Sequence, residues 1–339
     1  MVRLTSTVKT SGCAAKLPPA QLEKILSSLP LMEDERLIVG IETGDDALAW
    51  DLGDGRVMIE SVDFFPPVAD DPYEYGQIAA ANALSDIYAM GGEPAVAMNV
   101  MCFPSCMDLN IMRSILIGAQ DKVREAGAVI AGGHTIADST IKYGLSVTGF
   151  TTKDRLWTNK GARPGDVLVI TKNLGVGIIN TATKAGMASV EATAKALESM
   201  KTLNRRACQA ASGLAVSAAT DITGFSLLGH VNEMCQGAGL SFILDSTSIT
   251  VFDVALEYAR YGLIPEGAYS NREHLEGKVH VSSTLPRELE DVLYDPQTSG
   301  PLALAMTEGE AERFLETFGD DGRIVGHFQE RGEWVIEVR

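Results

Sequence analysis

The stretch Gly76 to Pro94, GQIAAANALSDIYAMGGEP, joins an alanine-rich run to a glycine pair and a strand-opening proline. It reads as a helix over Tyr75 to Met90 that stops at Gly91-Gly92, because glycine accepts the left-handed conformation of a C-terminal cap. Glu93-Pro94 then opens a strand over Pro94 to Phe103. Working outward, further strands are expected at Leu37 to Glu42, Val57 to Asp63, Ala128 to Ala131 and Tyr143 to Thr151, with a helix at Leu109 to Ala126. The pattern restarts after Arg163-Pro164-Gly165-Asp166 with a strand at Val167 to Thr171, a turn carrying Gly175 and Gly177, and a helix beyond. Helical segments follow near Val190 to Ala218 and Gly229 to Gln236, then a strand at Leu240 to Leu244. A C-terminal layer closes the chain at Leu302 to Met306, Glu308 to Phe318, Arg323 to Val325 and Trp334 to Val338. The fold class is α/β, or α+β, in two domains: a flexible strip 1–19, an N-terminal domain 20–157 and a C-terminal domain 158–339.

Asn82 and Asp86 stand four apart on the first helix, so both project from one face of an apolar rod. Asp86 is one of four aspartates set in apolar sequence, with Asp46, Asp63 and Asp221. A buried carboxylate must be paired, neutralised or bound to metal, and few lysines or arginines stand nearby in sequence. Magnesium is the natural partner; a helix cap or turn is the alternative for any one of them. The chain has 339 residues, 45% hydrophobic and 22% charged, with a formal charge of −17. That acidity argues against nucleic acid as a partner but suits metal ions that bridge carboxylates to a phosphate-bearing small molecule. No secretory signal or membrane-length apolar run is present, so a cytoplasmic protein without a membrane span is expected. Cys13, Cys102, Cys106, Cys208 and Cys235 are odd in number and irregular in spacing, which reads as reduced thiols without a zinc set.

Neither a GxxxxGK[ST] phosphate loop nor a GxGxxG fingerprint occurs. Three segments remain. Gly132-Gly133-His134 after a strand would let backbone approach a ligand closely, or is merely a turn. In Ser11-Gly12-Cys13-Ala14-Ala15-Lys16, the lysine can place charge on phosphate and the thiol offers a soft atom. Asp295-Pro296-Gln297-Thr298-Ser299-Gly300 is a polar turn set before a strand.

Taken in order, SGCAAKLPP, ETGDDALAW, SVDFFPP, GQIAAANALSDIYAMGGEP, AGGHTI, TDITGFSLLGH, EMCQGAG and YDPQTSG resemble the selenide, water dikinase (selenophosphate synthetase) family nearly end to end. The aspartates and the ANALSDIYAMGG helix are similar to the wider superfamily of aminoimidazole ribonucleotide synthetase, thiamine-monophosphate kinase and the hydrogenase maturation dehydratase. The resemblance implies a two-domain synthetase-like fold whose N-terminal domains pair in a homodimer. It implies conversion of ATP, selenide and water to selenophosphate, AMP and orthophosphate with magnesium; a monovalent cation is a further candidate cofactor and a selenium-delivery protein a candidate partner. By the same resemblance Asp46, Asp86 and Asp221 hold metal, with Asp86 also facing the nucleotide. Thr43, Gly44, Asp45, Asp63 and Gly132-Gly133-His134 contact nucleotide, the last across the dimer; Lys16 contacts phosphate, Cys13 occupies the cysteine or selenocysteine position, and Asn82 supports the site. Ala15, Gly44, Lys9, Thr10 and Pro301 depart from the family pattern. A superfamily small-molecule kinase and a non-catalytic selenium- or nucleotide-binding paralogue are the alternatives.

Overall fold

The computed structural model describes residues 3–17, 19–26, 28–30, 32–41 and 44–339. In the first half the strands are β1 (Leu37–Val39), β2 (Leu48–Asp51), β3 (Arg56–Phe65), β4 (Glu93–Phe103), β5 (Val129–Ala137) and β6 (Lys142–Thr152). They form a six-stranded sheet in the order β1-β2-β3-β6-β4-β5, antiparallel except for the β4–β5 pair. Along β3, Val57, Ile59, Ser61 and Phe65 are buried while Arg56, Val62 and Phe64 are exposed, the period-two pattern of a sheet covered on one side. The covering layer is the helix Pro72–Ala89 with the helix Leu109–Glu125 packed beside it.

Those two helices touch backbone to backbone through glycine. A Cβ on Gly76 would lie 2.0 Å from the Ile115 carbonyl oxygen, and one on Gly118 would lie 2.0 Å from that of Tyr73. Gly76→Ala must push the helices apart and should destabilise the protein by about 1–3 kcal/mol. Gly309→Ala, on the helix Glu308–Phe318 with open space around it, should be neutral or slightly stabilising. Denaturant titration of both variants checks the contrast, and equal midpoints would mean that the helices do not meet at Gly76.

The second half carries β7 (Val167–Ile170), β8 (Val216–Asp221), β9 (Leu240–Leu244), β10 (Val279–Val281), β11 (Leu302–Met306), β12 (Arg323–Glu330) and β13 (Ile336–Val338). Their sheet runs β10-β13-β9-β12-β7-β11-β8, with β8 and β11 antiparallel at one edge. β11 is buried along its whole length, as its unbroken apolar sequence requires. Among the described residues, no helix is long and apolar enough to cross a membrane.

Several sequence expectations need correction. The helical reading of Val190 to Ala218 resolves into a helix Val190–Lys201, a break, a short helix Arg205–Ala210 and then strand β8. Ala218 and Ala219 look helical by propensity, but pairing with β11 in the core overrides it. Gly132-Gly133-His134 is no turn: it lies inside the edge strand β5, where a Cβ on Gly133 would strike the backbone of Asn99 on β4. The first strand stops at Val39 rather than at Glu42, which lies outside the described residues. β2, β10 and the helices Asp253–Arg260, Glu266–His274 and Arg287–Leu293 had no expected counterpart.

Candidate active site

The helix Pro72–Ala89 is the axis of the site. Asp71 caps it by accepting the Glu74 N–H, Pro72 fixes its first turn, and Gly91 in the left-handed conformation (φ 69°) turns the chain out of it. On the face toward β3, the amide of Asn82 donates to Asp63 and Asp86 accepts from the Ser61 hydroxyl. One helical turn is thus matched to one pleat of the strand, with the two running in opposite directions, so that Asn82 meets Asp63 and Asp86 meets Ser61.

Asn82 is the hub of that face. Its Oδ1 accepts from the Cys13 thiol at 3.3 Å and from the Ser299 N–H at 2.7 Å, joining the N-terminal strip to the Asp295–Gly300 loop. The Cys13 N–H donates to Thr298 Oγ1 at 3.1 Å, and Lys16 Nζ stands 3.8 Å from Asp63. Cys13 is only 1% exposed. Burial pushes that thiol up to about 12, with the Lys16 charge opposing the shift. The Asp63 charge raises Lys16 above the usual lysine range, which keeps it a cation.

Asp221 ends β8 and reaches the same region from the second half, where its carboxyl takes a hydrogen bond from Ser85. Asp46 accepts from Thr220 Oγ1 at 2.9 Å. Burial raises Asp221 and drives Asp46 and Asp86 well above the carboxylate range; Asp221 then raises Asp46 and Asp86 further by like-charge repulsion. Asp221 Oδ2 is buried without a hydrogen-bond partner. Carboxyls in that state fit a divalent cation, which would replace both the missing hydrogen bond and the missing counter-charge. Among the described residues no three acidic, cysteine or histidine side chains already form a metal cage. Magnesium needs none, since it usually takes one or two carboxylates and completes its shell with water and substrate phosphate.

The remaining expected residues divide. Asp45 Oδ1 accepts the Asn159 N–H at 2.6 Å, and Asn159 Nδ2 donates to the Gly44 carbonyl at 2.9 Å, tying this loop to the second half. Thr43 lies outside the described residues. Gly132, Gly133 and His134 are exposed on β5, three strand spacings (about 14 Å) from β3, so a single chain does not bring them to the aspartates.

Family models described as AIR synthase related protein, N-terminal domain, and AIR synthase related protein, C-terminal domain, match residues 44–151 and 163–339. The selenide, water dikinase of Clostridium botulinum (strain Eklund 17B / Type B) is 51% identical, over 100% of this chain and 99% of its own. That of Pelobacter propionicus is 49% identical, over 93% and 90%. The chain belongs to the selenide, water dikinase family. The solved AaThiL complexed with AMPPCP and TMP is similar in fold, with TM-score 0.68 at 17% identity over 94% of this chain and 91% of that one. The HypE-HypF complex matches with TM-score 0.70 at 16% identity, over 94% and 96%.

In this selenide, water dikinase family member the Asp295–Gly300 loop is held by partners that sequence reasoning missed. Asp295 Oδ2 accepts from the Gly177 N–H and from Gln297 Nε2, both at 2.9 Å. Gln297 Oε1 accepts from the N–H groups of Gly175 and Val176, and the absence of a side chain at Gly177 leaves room for Asp295, with which a Cβ would collide. Lys172 Nζ donates to the carbonyls of Thr202 (2.7 Å) and Ser299 (2.8 Å), and Asn204 bridges Ser85 to the Gly300 carbonyl. Ser299 takes a positive φ of 49°, a strained value for a non-glycine residue. The YDPQTSG motif signalled this loop; nothing local signalled Lys172 or Asn204.

Burial pushes Asp295 up to about 8. The folded state therefore binds its proton where the unfolded chain has lost it, and this contribution to stability falls as pH rises from the ordinary carboxylate range toward 8. Asp295→Asn removes that slope. Urea midpoints measured between about pH 5 and 8 should fall less steeply for the variant than for the wild type, and parallel profiles would show Asp295 ionised in the fold.

Proposed function

We infer that this protein makes selenophosphate from ATP, selenide and water, releasing AMP and orthophosphate. Full-length identity near one half to selenide, water dikinases supports the reaction. The observation that carries the site assignment is the hydrogen-bonded chain Cys13–Asn82–Asp63 with Lys16 beside it, packed on the same helix face as Asp86.

Phosphoryl transfer asks for positioning and charge neutralisation more than for covalent groups. Asp46, Asp86 and Asp221 would hold magnesium, which supplies positive charge against the triphosphate. Lys16 is placed to meet phosphate oxygens, Asp63 to hold Lys16, and Asn82 to fix both Asp63 and Cys13. Gly44 and Asp45, which follow Thr43 in sequence and precede β2, would contact the nucleotide. Residues 20–157 form the nucleotide and metal domain, and residues 158–339 contribute Asp221 and the loop that presses on Cys13.

A homodimer completes the reading. The outer face of the first sheet exposes Val62 (62%), Phe64 (46%), Met98 (51%) and Phe150 (40%) around Glu60, which accepts from Ser146 and Thr148. Covering that face with a second copy would bury it and bring Gly132, Gly133 and His134 toward the partner's nucleotide. Nucleotide analysis tests the reaction: anaerobic incubation with ATP, magnesium and selenide should yield AMP. ADP as the final nucleotide would contradict the inference and favour small-molecule kinase chemistry.

A further inference from the structure

Behind Cys13 lies a cavity of about 190 Å³. Cys13 and Lys16 line it together with Gly224, Phe225, and Glu266 and Ser270 of the helix Glu266–His274. None of Asp46, Asp63, Asp86 or Asp221 lines it. Cys13 and Lys16 also meet Asn82 and Asp63. They are thus shared between the cavity and the carboxylate cluster.

We propose that this cavity is the selenide chamber, through which the second substrate reaches Cys13 and Lys16 without crossing the nucleotide side. The proposal rests on the dikinase reading above. Size is the first argument: pockets for drug-sized ligands run to about 300–1,000 Å³, so this cavity is below the range a ligand as large as ATP needs and ample for a hydrogen selenide ion. Charge is the second. An anion entering alongside a bound triphosphate would meet like charge, whereas the chamber presents the Lys16 ammonium and one carboxylate, that of the exposed Glu266. Softness is the third, because the aromatic face of Phe225 and a thiol suit a polarisable selenium atom better than hard oxygen donors do. The buried Cys13 thiol keeps its proton at neutral pH, so it adds no second negative charge beside the incoming ion.

Steady-state kinetics on the full chain, run anaerobically with ATP, magnesium and varied selenide, decide the matter. Ser270→Leu fills the chamber and should raise the KM for selenide about tenfold or more, with the KM for ATP within about twofold of wild type. Glu266→Gln removes the one carboxylate and should lower the KM for selenide about two- to fivefold at low ionic strength, an effect that salt abolishes. If Ser270→Leu lacks a cooperative thermal transition, the exposed Glu266→Gln variant decides alone. A selenide KM equal to wild type in the folded variants, or a change in the ATP KM instead, overturns the chamber while leaving the dikinase intact. A wild-type protein that forms no AMP overturns the dikinase reading itself.

Discussion

Asp86→Asn lowers turnover by about 10²–10³-fold or more while the protein stays folded, and it raises rather than lowers thermal stability near neutral pH. Burial raises Asp86 most, Asp221 and Asp63 raise it further by like charge, and the Ser61 hydroxyl and Lys16 act in its favour. An amide of the same shape keeps an acceptor for Ser61 and removes the repulsion, so the fold gains what the site loses. The sign follows from linkage. A carboxyl raised by the fold is most stabilising when protonated, and its contribution is lost as pH rises through its folded-state value. Asp46→Asn and Asp221→Asn should behave alike, since burial and mutual repulsion raise Asp46, and burial raises Asp221. Paired measurements of turnover against magnesium and of melting temperature test this split. Variants that turn over normally at low magnesium, or that melt well below wild type, would mean that these aspartates serve the structure and not the phosphates.

Lys16→Ala and Cys13→Ser should fail differently although the two residues lie on one short strip. Lys16 is held beside Asp63 and keeps its charge, so its loss removes the cation placed for phosphate and lowers ATP turnover about 10²-fold, with or without selenide. Cys13→Ser retains a hydroxyl that can donate to Asn82 and leaves the Thr298 contact to the backbone N–H untouched. Nucleotide and magnesium binding should persist while selenide-dependent product formation falls. A Cys13→Ser protein matching wild type at low selenide would reduce Cys13 to a packing residue.

The helix Pro72–Ala89 was legible because two polar residues at i and i+4 interrupt an apolar run, and a glycine pair marks its end. β11 and the helix Glu308–Phe318 coincide with their sequence expectation, since an unbroken apolar run followed by an amphipathic one leaves little choice. The family, the fold class and the reaction were legible from motif order. Burial of Cys13 was not, because it depends on Thr298 and on Asn82, which stand far along the chain. Lys172 and Asn204 escaped for the same reason: each bonds backbone carbonyls distant in sequence, and no local pattern announces such a contact. The edge-strand setting of Gly132-Gly133 was hidden because a glycine pair signals a turn and a close strand approach equally well.

The most direct test of the account is phosphorus NMR of an anaerobic reaction containing the protein, ATP, magnesium and selenide. The account predicts that AMP, orthophosphate and a species with phosphorus bonded to selenium grow in equal amounts. ADP as the end product, or AMP with orthophosphate and no phosphorus–selenium signal, would contradict it.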